Sequence, residues 1–139
     1  VKNGLTVIVC VGETLEERSH GHAEDTVVNQ LRASIPRQTP PKQLIIAYEP
    51  VWAIGSGEHA SLKAIESMHK TISDELLSFF RTDTKGSIPI LYGGSVNPEN
   101  AASILASKNV SGGLIGGASL ELTKFNDICE IADNFAEHT

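Results

Sequence analysis

Sulfur and aromatic side chains are scarce in this chain: two cysteines, one methionine, one tryptophan, two tyrosines and four phenylalanines in 139 residues. So few cysteines exclude a disulfide-dense scaffold. Cys10 and Cys129 fall in a strand-like and a helix-like segment without metal-ligand neighbours, and read as reduced, buried thiols. No apolar run approaches the roughly 18 residues that span a bilayer, and no basic, apolar leader opens the sequence, so no membrane partner is expected. Positive charge is short as well: 11 Lys and Arg against 17 Asp and Glu give a net charge of -6. That balance argues against a nucleic-acid partner, which requires clustered cations. It leaves room for a small anion, because backbone N–H groups can hold a phosphate whatever the net charge. The five histidines (His20, His22, His59, His69 and His138) form no i, i+4 pair, and no metal is expected.

What is present is a 40% apolar content, enough for a core, arranged as short β-rich runs alternating with helical stretches. Thr6 to Val11 is a run rich in β-branched residues, as expected of a strand buried on both faces. Thr14 and Glu17 have capping-box spacing and open a helical stretch to Leu31, broken or kinked near Gly21. Pro36, Pro40 and Pro41 enforce a loop before a second strand at Leu44 to Tyr48. Ser61 caps a helix whose apolar positions (Leu62, Ile65, Met68, Ile72, Leu76, then Phe79 or Phe80) keep a helical period. Asp83 to Ser87 reads as a turn and Ile88 to Tyr92 as a third strand, with Pro89 awkward at its start. Asn97 caps a helix with Pro98 in its first position. Gly113 to Ile115 is the last strand, and Leu122 to Phe135 the closing helix. Four successive strand–loop–helix units imply an α/β fold with a parallel sheet and right-handed crossovers.

In such folds the ligand-binding residues gather where strands end and helices begin. Gly12-Glu13, Glu49 to Gly57, Gly93-Gly94-Ser95 and Gly116-Gly117 all lie at that end. One glycine pair is explained by a tight turn; two pairs on successive strands favour a backbone anion site for a phosphate. Glu49 ends an apolar strand. It reads either as a solvated loop residue or as a carboxylate whose charged form is disfavoured by apolar surroundings, which suits a proton acceptor. The segment from Pro50 to Ala60 is too long and glycine-rich for a turn. It reads as a lid, or as a surface loop with Trp52 as a packing anchor.

The motifs then become specific. Ala47-Tyr48-Glu49-Pro50-Val51-Trp52-Ala53-Ile54-Gly55-Ser56-Gly57 resembles the signature of the triosephosphate isomerase family. Tyr92-Gly93-Gly94-Ser95-Val96-Asn97 and Gly113-Leu114-Ile115-Gly116-Gly117-Ala118-Ser119-Leu120 resemble its two phosphate motifs, and Cys10-Val11-Gly12-Glu13-Thr14-Leu15-Glu16-Glu17-Arg18 its fifth-strand segment. The resemblance covers essentially the whole chain. It implies half of a (β/α)8 TIM barrel, four parallel strand–helix units, with residues 1–139 as one C-terminal half-barrel domain (strands 5 to 8). By this resemblance Glu49 is the base that moves a proton between adjacent carbons of dihydroxyacetone phosphate and glyceraldehyde 3-phosphate, through an enediolate. Backbone N–H groups of Gly55, Ser95 and Gly117, with Gly116 adjacent, would hold the substrate phosphate. Pro50 through Ala60, including Glu58 and His59 at the trailing hinge, would form the lid, with Ile54 covering the base. Closure would bring Trp52 to Glu13, the Tyr92 hydroxyl to the Ala60 N–H, and Ser95 to the Gly57 N–H.

The family's catalytic Lys and electrophilic His come from its first half, and no residue of this chain matches them. Losing one positioned acid–base group lowers the rate by roughly 10²–10⁴, and losing oxyanion stabilisation by a further ~10²–10³, so the resemblance implies a very poor isomerase, or none, for this chain alone. The alternative is a non-catalytic phosphate-binding half-barrel. No cofactor is implied. Four strands would leave two open sheet edges, so self-association into a homo-oligomer, or pairing with the missing N-terminal half, is expected. A cytoplasmic setting is the accompanying expectation.

Overall fold

The computed structural model describes residues 3–54, 60–80 and 88–136. The expected turn at Asp83 to Ser87, and the lid residues Gly55, Ser56, Gly57, Glu58 and His59, lie outside the described residues. In chain order the elements are β1 (Val7–Val11), α1 (Leu15–Ser19), α2 (Ala23–Ser34), β2 (Leu44–Tyr48), α3 (Leu62–Phe80), β3 (Ile90–Tyr92), α4 (Pro98–Leu105), β4 (Gly112–Gly113) and α5 (Leu122–Ala136). Among the described residues the strands form one sheet in the order β1-β2-β3-β4, every neighbouring pair parallel. Sequential order with parallel pairing makes α1 with α2, then α3, then α4 the crossovers between adjacent strands, and α5 follows β4.

Local chemistry sets the element boundaries. The capping box forms as spaced: Thr14 Oγ1 accepts from the Glu17 N–H, and Glu17 reaches back to the Thr14 N–H. The stretch then divides into α1 and α2 at Gly21, whose φ of +76° no helix continues through. Ser61 Oγ accepts from the Ala64 N–H to start α3. Asn97 caps α4 with Pro98 in the first turn, and Asn100 answers as the second half of a box. The inward stripe of α3 comprises Ile65, Met68, His69, Ile72 and Leu76, all buried. With Val27 and Leu31 of α2 and Ile104 of α4, this stripe covers Leu44, Ile46, Tyr48, Ile90 and Tyr92 on the helix-facing side of the sheet. Each fully buried aliphatic side chain in this layer contributes about 1.5–3 kcal/mol.

The other face of the sheet departs from expectation. β1 is not buried on both faces: Ile8 is 45% exposed, and Cys10 is exposed beside it. β1 is an edge strand, and alternation turns Ile8 and Cys10 away from the helices, toward the side that a closed barrel would fill from its remaining strands. The expectation of two buried thiols is therefore corrected, since Cys129 on α5 is exposed too. Two strands are shorter than the apolar pattern suggests. The third starts at Ile90, because Pro89 has no N–H and contributes only its carbonyl, which accepts from Ile46 N at 3.0 Å. The fourth is confined to Gly112–Gly113, although Leu114 N still donates to Tyr92 O at 2.9 Å.

Candidate active site

The four strands deliver their C-terminal ends to one rim. Pairing runs past the strand ends: Glu49 N donates to Val11 O at 2.7 Å and Gly93 N to Tyr48 O at 2.8 Å. Glu49 is thus fixed by the backbone on both sides, and its half-buried side chain is turned to the open face. Two glycines make the space. A Cβ on Gly12 would overlap the Glu49 carbonyl oxygen, and a Cβ on Gly93 would lie 2.5 Å from Glu49 Cγ. The turn at Gly12 is also clasped by a residue that sequence reasoning missed. Gln30 of α2 accepts from Gly12 N at 2.8 Å and donates to Gly12 O at 2.9 Å.

Cys10 lies against the same carboxylate. Its thiol is pushed up to about 11, first by burial of the sulfur, then by the hydrogen bond to Glu49 and that residue's charge. A thiol so raised stays protonated beside Glu49 and is a poor nucleophile.

The segment after Glu49 leaves the strand through Pro50 and one 3-10 turn, Val51–Ala53. Val51 N donates to Glu13 O at 3.0 Å, and Trp52 Nε1 donates to Glu13 Oε1 at 3.0 Å. At the other end, Ala60 N donates to the Tyr92 hydroxyl at 3.3 Å. Two of the three contacts expected of a closed lid are therefore formed; the third, Ser95 with Gly57, involves a residue outside the described ones. Glu13 is 0% exposed and collects further donors that were not anticipated: the Tyr48 hydroxyl at 3.2 Å and Arg18 Nη1 at 3.0 Å. Burial, followed by the charge of Glu13, pushes the Tyr48 hydroxyl far above its ordinary value, so Tyr48 is a fixed donor. Ile54, expected over the base, is exposed.

The two glycine turns expected to hold an anion follow neighbouring strands, because β3 pairs with β4. Ser95 N donates to Ala53 O at 3.1 Å, so the N–H expected to hold a phosphate is here engaged by the segment after Glu49. An anion at Ser95 has to displace that carbonyl. Asn100 Nδ2 holds Ser95 O at 3.1 Å and steadies the turn from α4. Gly116 and Gly117 are exposed and open the 3-10 turn Gly117–Leu120, with Ser119 N and Oγ both donating to Gly116 O. Among the described residues no cluster of three or more His, Cys, Asp or Glu is arranged to hold a metal, and no helix is long and apolar enough to cross a membrane.

Comparison with known proteins agrees along the chain. A family model described as triosephosphate isomerase matches residues 1–132. The triosephosphate isomerase of Thermus thermophilus is 47% identical over 134 residues, 95% of this chain and 54% of that protein. That of Caulobacter vibrioides is 52% identical over 122 residues, 88% of this chain and 48% of that protein. A crystal structure of triosephosphate isomerase from Bartonella henselae superposes with a TM-score of 0.83 at 40% identity, covering 94% of this chain and 51% of its own. The chain spans about half the length of the curated relatives it matches.

Proposed function

This chain belongs to the triosephosphate isomerase family, and from that premise we propose that it supplies the base, the lid and the phosphate turns of an aldose–ketose isomerase acting on triose phosphates. Residues 1–139 then form one C-terminal half-barrel domain. The observation that carries the reading is the seat of Glu49: a half-buried carboxylate at a strand end, with Gly12 and Gly93 clearing its space and a lid segment latched to Glu13 beside it.

The proton shuttle is the family's known chemistry. Glu49 takes a proton from the carbon next to the substrate carbonyl, the electrons moving onto the carbonyl oxygen to give an enediolate. It returns that proton to the adjacent carbon while the proton on oxygen relocates. Holding the phosphate falls to the N–H groups of Ser95, Gly117 and the lid's Gly55, with Gly116 beside them, and excluding water falls to the lid. Polarising the carbonyl requires an electrophile, which this chain does not contribute; the isolated chain is then a very poor catalyst.

Completion of the site is tied to the open face. Exposed Ile8, and outer edges of β1 and β4 that are unpaired among the described residues, favour covering by further strands, either the family's first half or a second copy. Two free thiols fit a reducing setting such as the cytoplasm.

The direct test is a coupled isomerase assay on the purified 139-residue chain beside its Glu49→Asp variant. Negligible turnover for both is expected. High turnover that survives Glu49→Asp would remove Glu49 from its proposed role.

A further inference from the structure

The lid's leading hinge is not held by Glu13 alone. Trp52 Nε1, Arg18 Nη1 and the Tyr48 hydroxyl all donate to one oxygen, Glu13 Oε1, at 3.0, 3.0 and 3.2 Å. The carboxylate is 0% exposed, and its other oxygen has no partner among the described residues. Neutral donors compensate a buried carboxylate poorly, so a cation has to stand beside it. Arg18 is that cation, and its guanidinium also lies over the Trp52 ring, 5.2 Å from the centroid. A single side chain thus touches both partners of the Trp52–Glu13 hydrogen bond: the acceptor through its edge, the donor's ring through its face.

The local fold explains the reach. The Thr14–Glu17 capping box starts α1 immediately after Glu13, and Arg18 N closes onto Thr14 O at 3.1 Å. That single turn folds the Arg18 side chain back over Glu13. Arg18 is 30% exposed where Glu13 is fully covered, so the guanidinium forms the boundary between the cluster and solvent.

We propose that Arg18 is a positioning residue for the lid. It supplies the charge that makes Glu13 a strong acceptor, and it stacks on Trp52 to fix the indole where its N–H meets that acceptor. The proposal rests on reading Pro50 to Ala60 as a lid over Glu49. Arg18 touches neither the base nor the phosphate turns. The two parts of its role are separable: Lys keeps the charge without the planar face, and Gln keeps donors without the charge.

Trp52 is the chain's one tryptophan, so fluorescence excited beyond the tyrosine absorption band reports this ring and no other. The experiment compares the full 139-residue chain with Arg18→Met, Arg18→Lys and Arg18→Gln, using far-UV circular dichroism to verify folding. A charge-assisted hydrogen bond corresponds to roughly a tenfold or larger shift in a two-state latch. Arg18→Met is therefore expected to red-shift Trp52 emission and raise its acrylamide quenching severalfold, with Arg18→Lys restoring part of the difference. In a Glu13→Gln background, Arg18→Met should add less than it does in the unaltered chain, because the charge it answers is gone and only its stacking on Trp52 remains to be lost. Where Arg18→Met fails to fold, Arg18→Gln carries the same test, since it retains donors and much of the length. Unchanged emission and quenching in a folded Arg18→Met or Arg18→Gln chain overturns the proposal, as does full additivity with Glu13→Gln. The lid reading fails separately: inorganic phosphate would then leave Trp52 emission of the unaltered chain unmoved.

Discussion

A Cβ built on Gly93 falls 2.5 Å from Cγ of Glu49 and 3.3 Å from its Cδ, so the glycine after β3 is the surface on which the carboxylate after β2 rests. Nothing larger than hydrogen fits there without turning Glu49 aside. Gly93→Ala is expected to keep the secondary structure, at an overpacking cost of about 1–3 kcal/mol in urea unfolding. A misplaced base lowers turnover far more, about 10²-fold, in the barrel completed by a relative's first half. Steady-state kinetics on that assembly checks it; an unchanged rate would mean Glu49 does not depend on its seat.

The same carboxylate is readable through Cys10. With its thiol pushed up to about 11, Cys10 carries about a hundredfold less thiolate at pH 8 than an unperturbed cysteine. Cys129 should therefore alkylate first with iodoacetamide, although both side chains are exposed. Glu49→Gln removes the charge and weakens the acceptor, and Cys10 should then react faster. Peptide mass mapping over time distinguishes the two sites; equal rates in the unaltered chain would show that Cys10 is not held against Glu49.

His69 predicts a pH dependence with a definite sign. Its ring is fully buried, and Nδ1–H donates to Asn109 O at 3.0 Å, which leaves Nε2 as a bare acceptor without a partner among the described residues. Burial lowers its pKa to about 4, the hydrogen bond to Asn109 opposing. The unfolded chain takes up this proton below about pH 6.5 and the folded chain only near pH 4. Stability is therefore fully present above pH 6.5 and falls as pH drops through that window. The loss from this ring between pH 7 and pH 5 is about 2 kcal/mol. His69→Gln, which keeps a donor toward Asn109 O but does not titrate, should flatten that part of the curve in urea titrations. An unchanged slope would place the acid sensitivity elsewhere.

The sequence pattern anticipated those parts of the fold that depend on neighbours in the chain. The capping box at Thr14, the cap at Asn97, the break at Gly21, the stripe on α3 and the four parallel units all arise from local spacing. Contacts fixed by residues distant in sequence were harder to read. The apolar run of β1 carries no mark that one face stays open, so Ile8 and Cys10 were expected to be buried. Gln30 clasping Gly12, and Tyr48 and Arg18 meeting Glu13, follow from α1 and α2 folding back on the strand ends, which no periodicity displays. The resemblance supplied the pairing of Trp52 with Glu13 and of Tyr92 with Ala60, and both hydrogen bonds are formed. Arg18 offered one faint signal, a cation at the end of a single-turn helix just after a buried acid.

In the proposed division of labour this chain brings the base, lid and anion turns while another set of strands brings the electrophile. Mixing the chain with the first half of a relative's barrel and following isomerase turnover tests that division. Activity that neither half shows alone is expected, falling by about 10²–10⁴ when Glu49→Asp replaces the native chain. Turnover in the mixture that is indifferent to Glu49→Asp would contradict it.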